Sequence, residues 1–315
     1  MKVYCAEDRL VSASGKGVEN WCAPWTAAAI RSCTAANLAR RGALVEDPAS
    51  ASLILVEVTD HLAHLAAESL VALAAQGRAA GARLVVRIHG AWRHQAGDFG
   101  ETEEPDLRAV WSTADAVLVA SRHHLVRLAC GGGIDADRTR LAPVAMAEPD
   151  VTSAGCPELG SRTQLLVAGE THRAALAPVL EMLREADPSK ATLQVISAAT
   201  PFQRALGTAR ALLVPATAPF GDRVLVDAAL RAGVTVIASE GAGALDGPLP
   251  QGLTVVAGSG SSAKWREALE AGLTSSIVPE ARALDAILER QYEILTAIDA
   301  QEGAPGAHFE REAAA

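Results

Sequence analysis

Apolar residues in this chain come in short, nearly continuous runs bounded by glycine, proline and small polar residues. Between those runs lie longer segments in which apolar positions recur at helical spacing. Runs of the first kind predict strands covered on both faces, and the segments between them predict the crossover helices of a parallel sheet. The clearest case is Leu206 to Leu245: a strand (ALLVPA), a loop built on Pro219, Phe220 and Gly221, a helix (VLVDAALRAG), a second strand (VTVIAS) and a Gly-rich turn. That is a βαβ unit. Ligands of such sheets sit beyond the carboxyl ends of the strands, so the loops Thr217 to Arg223 and Glu240 to Leu245 are the candidate ligand loops.

The same alternation runs through the whole chain. A short strand, Lys2 to Ala6, leads to a loop with Gly15, Lys16 and Gly17 and then a helix from about Val18 through Ala39. Strands follow at Leu53 to Val58, at LVVRIHG ending in His89 and Gly90, and at Ala116 to Ala120, separated by helical segments and the polar loop Ala91 to Pro105. The stretch Ala147 to Ser161, rich in Pro, Gly and small polar residues, reads as a linker. Beyond it come the strand TQLLVAG, a helix near Ala174 to Glu185, the strand LQVISA, the βαβ unit, the strand LTVVAG, a helix with Trp265 and a long helix from Pro279 to Asp299. The expected organisation is α/β, with two Rossmann-like domains at residues 1–148 and 160–278 and a final helix at 279–300.

Composition narrows the function classes. A length of 315 residues fits two domains, and 50% hydrophobic with 21% charged residues is the balance of a globular protein with a large core. Only 3% of residues are aromatic, so that core must rest on Ala, Leu and Val. A net charge of -9 argues against general nucleic-acid binding, which needs a basic surface. The five cysteines, Cys5, Cys22, Cys33, Cys130 and Cys156, form no C-x-x-C pair and read as reduced thiols. The opening MKVYCAEDRL lacks an apolar signal region, and no run is long enough to span a bilayer. The expectation is a cytoplasmic protein without an integral membrane segment.

Several residues carry candidate chemistry. Lys16 between two glycines places a cation on unobstructed backbone, which suits a phosphate, although a flexible turn before a helix is the plain alternative. His89 closes a buried strand and precedes a glycine that admits a ligand; otherwise it caps local backbone. Asp227 sits in an otherwise apolar helical turn, LVDAAL, where an unpaired charge is costly and a ligand would explain it. His61 and His64 lack a third ligand and read as ordinary helix residues. The pair Asp135 and Asp137 precedes a strand, at the edge of the sheet away from ligands, and is not read as a metal motif.

Together, Pro215, Phe220-Gly221, Asp227-Ala228, Gly233, Val236-Ile237-Ala238-Ser239, Gly241 and Gly243 resemble the donor half of retaining glycosyltransferases of the GT-B fold, the large family four group. That resemblance implies two sheets facing each other across a cleft, with the last helix returning to the first domain. It implies metal-independent transfer of a sugar, hexosyl in type, from a nucleoside diphosphate sugar to a hydroxyl acceptor with retention of configuration. No cofactor is implied, the nucleotide sugar being a co-substrate, and a homo-oligomer is left open. By the same resemblance Gly15, Lys16, Gly17, Gly169, Phe220, Gly221, Asp227, Gly241, Ala242, Gly243 and Ala244 would bind the donor, Asp227 through ribose hydroxyls. His89 would lie near the donor sugar and acceptor. The family's first Glu falls at Ala218, and its Gly-Arg with a following Lys is here Gly169-Glu170, with no Lys before Lys190. Arg173, His172, Arg223 and Lys16 are the groups available to meet the leaving diphosphate. These departures keep two other readings open: a noncatalytic accessory or binding protein, and a sugar-nucleotide epimerase.

Overall fold

The computed structural model describes residues 1–6, 24–59, 72–73, 75–89, 113–120, 122, 125, 136–146, 164–168, 173–185, 192–196, 202–215, 222–240, 249–257, 260–274 and 284–301. Among them the elements run β1 (Val3–Cys5), α1 (Pro24–Arg40), β2 (Leu53–Thr59), β3 (Arg83–His89), β4 (Ala116–Val119), β5 (Thr139–Leu141), β6 (Gln164–Ala168), α2 (Arg173–Glu185) and β7 (Thr192–Ile196). They continue with α3 (Phe202–Leu206), β8 (Ala209–Val214), α4 (Asp222–Arg231), β9 (Thr235–Ser239), β10 (Leu253–Val256), α5 (Ser262–Thr274) and α6 (Leu284–Asp299). The chain forms two compact units, one of Met1–Val18, Ala27–Val144 and Ile287–Ala315, the other of Glu19–Thr26 and Ala145–Ala286.

Among the described residues each unit holds one five-stranded sheet in which every pairing is parallel. The fold is therefore α/β with two Rossmann-like sheets, as the alternating pattern implies. In the first sheet the order is β1-β2-β3-β4-β5. Leu44 bridges Val3 on the side of β1 not taken by β2. The chain thus leaves β1 in one direction, through α1 to Leu44, and returns to pair on the other side as β2. That reversal is a topological switch point, the place where ligand crevices open in doubly wound sheets.

Period-two alternation explains how the strands carry two cores. Ile54, Val56, Leu84, Val86 and Ile88 face one buried cluster, against which Leu73 packs. Leu53, Leu55 and Val85 face the other, with Leu38 of α1 and Ile294, Leu295 and Ile298 of α6. The last helix thus completes the core of the sheet that the first strand begins. Burying each such Leu or Ile stabilises by about 1.5–3 kcal/mol. The Arg83 guanidinium ties the end of α6 down by donating to the carbonyls of Ile298 and Gln301.

In the second sheet the order is β7-β6-β8-β9-β10, so its switch point lies between β6 and β8. One face is filled by Leu165, Val167, Leu213 and Ile237 with Val179 and Met182 of α2 and Trp265 of α5, the Trp 0% exposed. Helix α4 packs on β8 and β9, and its residues from Val224 to Leu230 are all buried.

Two glycines separate the cost of backbone strain from that of crowding. Gly42, at φ +65°, ends α1 while Ala43 N–H donates to Leu38 O at 2.8 Å, and an added Cβ would meet nothing within 4 Å. Gly260, at φ +60°, would place a Cβ 2.7 Å from Val256 Cγ1 and 2.8 Å from Trp265 Nε1. Urea unfolding should show Gly42→Ala costing about 1 kcal/mol and Gly260→Ala about 2–4 kcal/mol, because overpacking adds to strain only at the second. Equal costs would mean that the Trp265 pocket yields.

Candidate functional site

The second sheet ends, on its carboxyl side, at Ala168 of β6, Val214 of β8 and Ser239 of β9. Strands β6 and β8 are neighbours, and the segments leaving them lead into α2 and α4. Arg173 is the first residue of α2 and Arg223 lies in the first turn of α4, so sequence-remote cations start from helices that leave adjacent strand ends. Asp227 lies midway along α4 and is 1% exposed, between buried Val226 and Ala228. Asp227 is not without an interaction partner. Ser239, 5% exposed, closes β9 opposite Val256, and Glu240 N–H donates to Val256 O at 2.9 Å, holding the start of the following turn.

Gly15, Lys16, Gly17, Gly169, Phe220, Gly221, Gly241, Ala242, Gly243 and Ala244 fall outside the described residues, as do His61, His64, Glu170 and Asp135. His89 is the last residue of β3, paired with Thr59, and belongs to the first unit. Asp137 sits in a 3-10 turn, Ala136–Arg138, leading into β5, at the amino edge of that strand. Among the described residues no group of three or more His, Cys, Asp or Glu could hold a metal ion. Among them, too, no helix is long and apolar enough to cross a membrane.

A second set of polar residues, not singled out by the sequence reading, lies at the carboxyl side of the first sheet. Glu57 and Arg87 are register partners on β2 and β3, with Arg87 1% exposed. Arg87 Nη2 lies 3.4 Å from Glu57 Oε1, and Arg87 Nη1 donates to Thr34 Oγ1 at 3.2 Å. The Thr34 hydroxyl lies 3.0 Å from Ile30 O and 3.4 Å from Gln291 Oε1, while Gln291 Nε2 donates to Pro143 O at 2.7 Å. Arg31 Nη1 donates to Ala6 O at 3.2 Å, just past the end of β1. The signal for this cluster was present as one charge inside each of two apolar runs, LILVEV and LVVRIH.

Cys5, on β1 beside this cluster, has its thiol pushed up from an ordinary 9.0 to about 11. Burial is the main cause and Glu57 adds to it, while the Arg87 and Arg31 cations pull less strongly the other way. The thiol is therefore protonated and a poor nucleophile at neutral pH. A raised acid pKa makes the folded state hold a proton that the unfolded state has lost, so stability falls as pH rises from about 9 to 11. Cys5→Ala should flatten that part of the stability curve, and peptide mapping of iodoacetamide-treated native protein should find Cys5 unmodified at pH 8. Rapid modification at pH 8 would contradict the burial effect.

No family model and no curated protein matches the chain. Solved structures do. The crystal structure of Anabaena Alr3699/HepE in complex with UDP is 11% identical, with a TM-score of 0.59 over 94% of this chain and 100% of that one. The same protein with UDP-glucose gives a TM-score of 0.58 at 11% identity over 94% and 99% of the two chains. With UDP and glucose it gives 0.57 at 12% identity, over 85% and 81%. At this identity the likeness is one of fold, and it extends over nearly the whole chain: the protein has the two-sheet α/β architecture of the GT-B type.

Proposed function

We propose that this protein transfers a sugar from a nucleoside diphosphate sugar to a hydroxyl acceptor, without a metal ion and with retention of anomeric configuration. The observation that carries the reading is the full-length fold likeness to Alr3699/HepE, a protein crystallised with UDP, UDP-glucose and glucose. In this reading the domain expected from the sequence at residues 160–278 takes the donor and the one at residues 1–148 takes the acceptor.

The chemistry divides among the chain's own groups. Cleaving the glycosyl-phosphate bond leaves negative charge on the diphosphate, so the main catalytic need is preorganised positive potential. Helices α2 and α4 start after the two strands that flank the switch point, and a helix N-terminus presents free N–H groups and a partial positive charge to an anion. Arg173 and Arg223, in the first turns of those helices, add full charges. Backbone N–H groups of Gly241 to Ala244 would complete the cradle. Asp227 would accept from both ribose hydroxyls, a diol being matched by the two oxygens of a carboxylate. Of the first unit's residues, His89 at the end of β3 would serve the sugar or acceptor, and Gly15, Lys16 and Gly17 the donor phosphates.

A second reading, a noncatalytic binding protein of the same fold, has one observation in its favour: Glu170 places an anion where the resembling family carries an Arg, and no Lys follows before Lys190. Turnover separates the two. With the transferase reading, purified protein binds UDP or another nucleoside diphosphate by calorimetry and slowly hydrolyses the matching sugar nucleotide. Proton NMR then shows the donor's anomer in the first-formed sugar, and EDTA leaves the rate unchanged. Binding without turnover favours the noncatalytic reading, and epimerised donor the third possibility. Absence of binding to every nucleoside diphosphate tested removes the proposal. Asp227→Ala should weaken nucleotide affinity by about tenfold or more, about 1.4 kcal/mol. Unchanged affinity would show that the buried Asp227 serves packing and not the ribose.

A further inference from the structure

Arg87 is a buried cation with most of its hydrogen-bonding capacity unspent. A guanidinium has five N–H donors, yet the hydrogen bond that Arg87 makes is the one from Nη1 to Thr34 Oγ1 at 3.2 Å. Among the described residues its Nε and Nη2 have no hydrogen-bond partner, and the 3.4 Å approach of Nη2 to Glu57 Oε1 is an ion pair without an aligned hydrogen bond. A buried polar group left in this way costs about 1–3 kcal/mol, more when charged, and native proteins rarely leave one without a water or ion to meet it. The residue stands near the carboxyl end of β3, next to the β1/β2 switch point where a doubly wound sheet opens a ligand crevice. Arg31 brings a second guanidinium to the same end, held on Ala6 O beyond β1.

We propose that this end of the first sheet binds an oxyanion, a phosphate or carboxylate group, on the Nε and Nη2 edge of Arg87, which makes no hydrogen bond among the described residues. The planar fork of a guanidinium matches two oxygens of such a group, which a single ammonium does not. Glu57 keeps the guanidinium in place without ligand, and Thr34, braced by Gln291 from α6, fixes its other edge. The proposed transferase activity is needed only to name the carrier: an acceptor bearing the anion as well as its hydroxyl. The site itself belongs to the first unit and stands or falls separately.

The test uses the full chain and thermal unfolding, with sodium chloride at matched ionic strength as the reference. Inorganic phosphate and glucose 6-phosphate should raise Tm in a saturable way, as any ligand of the folded state does, while glucose alone should not. Tighter binding of glucose 6-phosphate than of inorganic phosphate assigns the site to a phosphorylated acceptor; equal binding assigns it to the free anion. Arg87→Lys keeps a cation opposite Glu57 but loses the fork, and should weaken phosphate at least tenfold. The double variant Arg87→Met/Glu57→Leu removes both buried charges together, the substitution that buried pairs tolerate best, and should abolish the response. UDP should stabilise both variants as it does the parent. Should neither variant fold, phosphate titrated into arginine-15N-labelled parent protein should shift one slowly exchanging Nε–H resonance. No phosphate effect beyond chloride, or an undiminished effect in the variants, overturns the proposal. Phosphate binding without any nucleotide binding would leave this site standing and retire the transferase reading, and nucleotide binding without phosphate binding would do the reverse.

Discussion

A parallel strand buried on both faces can offer polar groups to a ligand only where it ends, and that constraint governs both sheets of this protein. Leu53, Ile54, Leu55 and Val56 are all at most 4% exposed, two facing each core. Backbone donors and acceptors are spent in the ladder, and side chains are spent in packing. What remains for chemistry is the row of loops and helix starts beyond the carboxyl ends. In doubly wound sheets a gap in that row opens where the winding reverses, and here it reverses at β1 and again at β6, once in each unit.

Charges within such strands are expensive, so the few present must be held by neighbours. Glu57 and Arg87 face each other in register, and Arg87 reaches Thr34 on α1, which in turn meets Gln291 on α6. This chain of contacts joins two strands, the first helix and the last helix in one polar seam through an apolar core. Asn37 adds a further link, donating to Leu288 O at 3.2 Å. Replacing such a pair with apolar residues is often harmless to stability, whereas removing one partner is not.

The two units use the same topology for different electrostatic ends. In the second, the strand ends at the switch point lead to helix starts with Arg173 and Arg223 in their first turns, and the buried carboxylate of Asp227 lies further along α4. In the first, guanidinium groups lie behind the strand ends themselves, on β3 and α1. A nucleoside diphosphate asks for helix dipoles plus a diol acceptor, and a single oxyanion asks for a fork of donors. The proposed division into donor and acceptor roles rests on that difference in chemistry.

The sequence by itself determined the α/β class, because continuous runs such as LLV and VIAS, punctuated by Gly and Pro, admit few structures other than strands covered on both sides. It also marked the βαβ unit around Asp227 and the strand ending at His89, since local pattern places a residue at a strand end or on a helix. Only the tertiary structure decided which strands are neighbours. Nothing local says that Leu44 pairs outside β1, that β6 lies between β7 and β8, or that Gln291 comes to rest beside Thr34, 257 residues away in the chain. Glu57 and Arg87 were visible as isolated charges in apolar runs. Their pairing, and the unmet donors it leaves, depend on strand register, which is set by long-range packing and not by either strand alone.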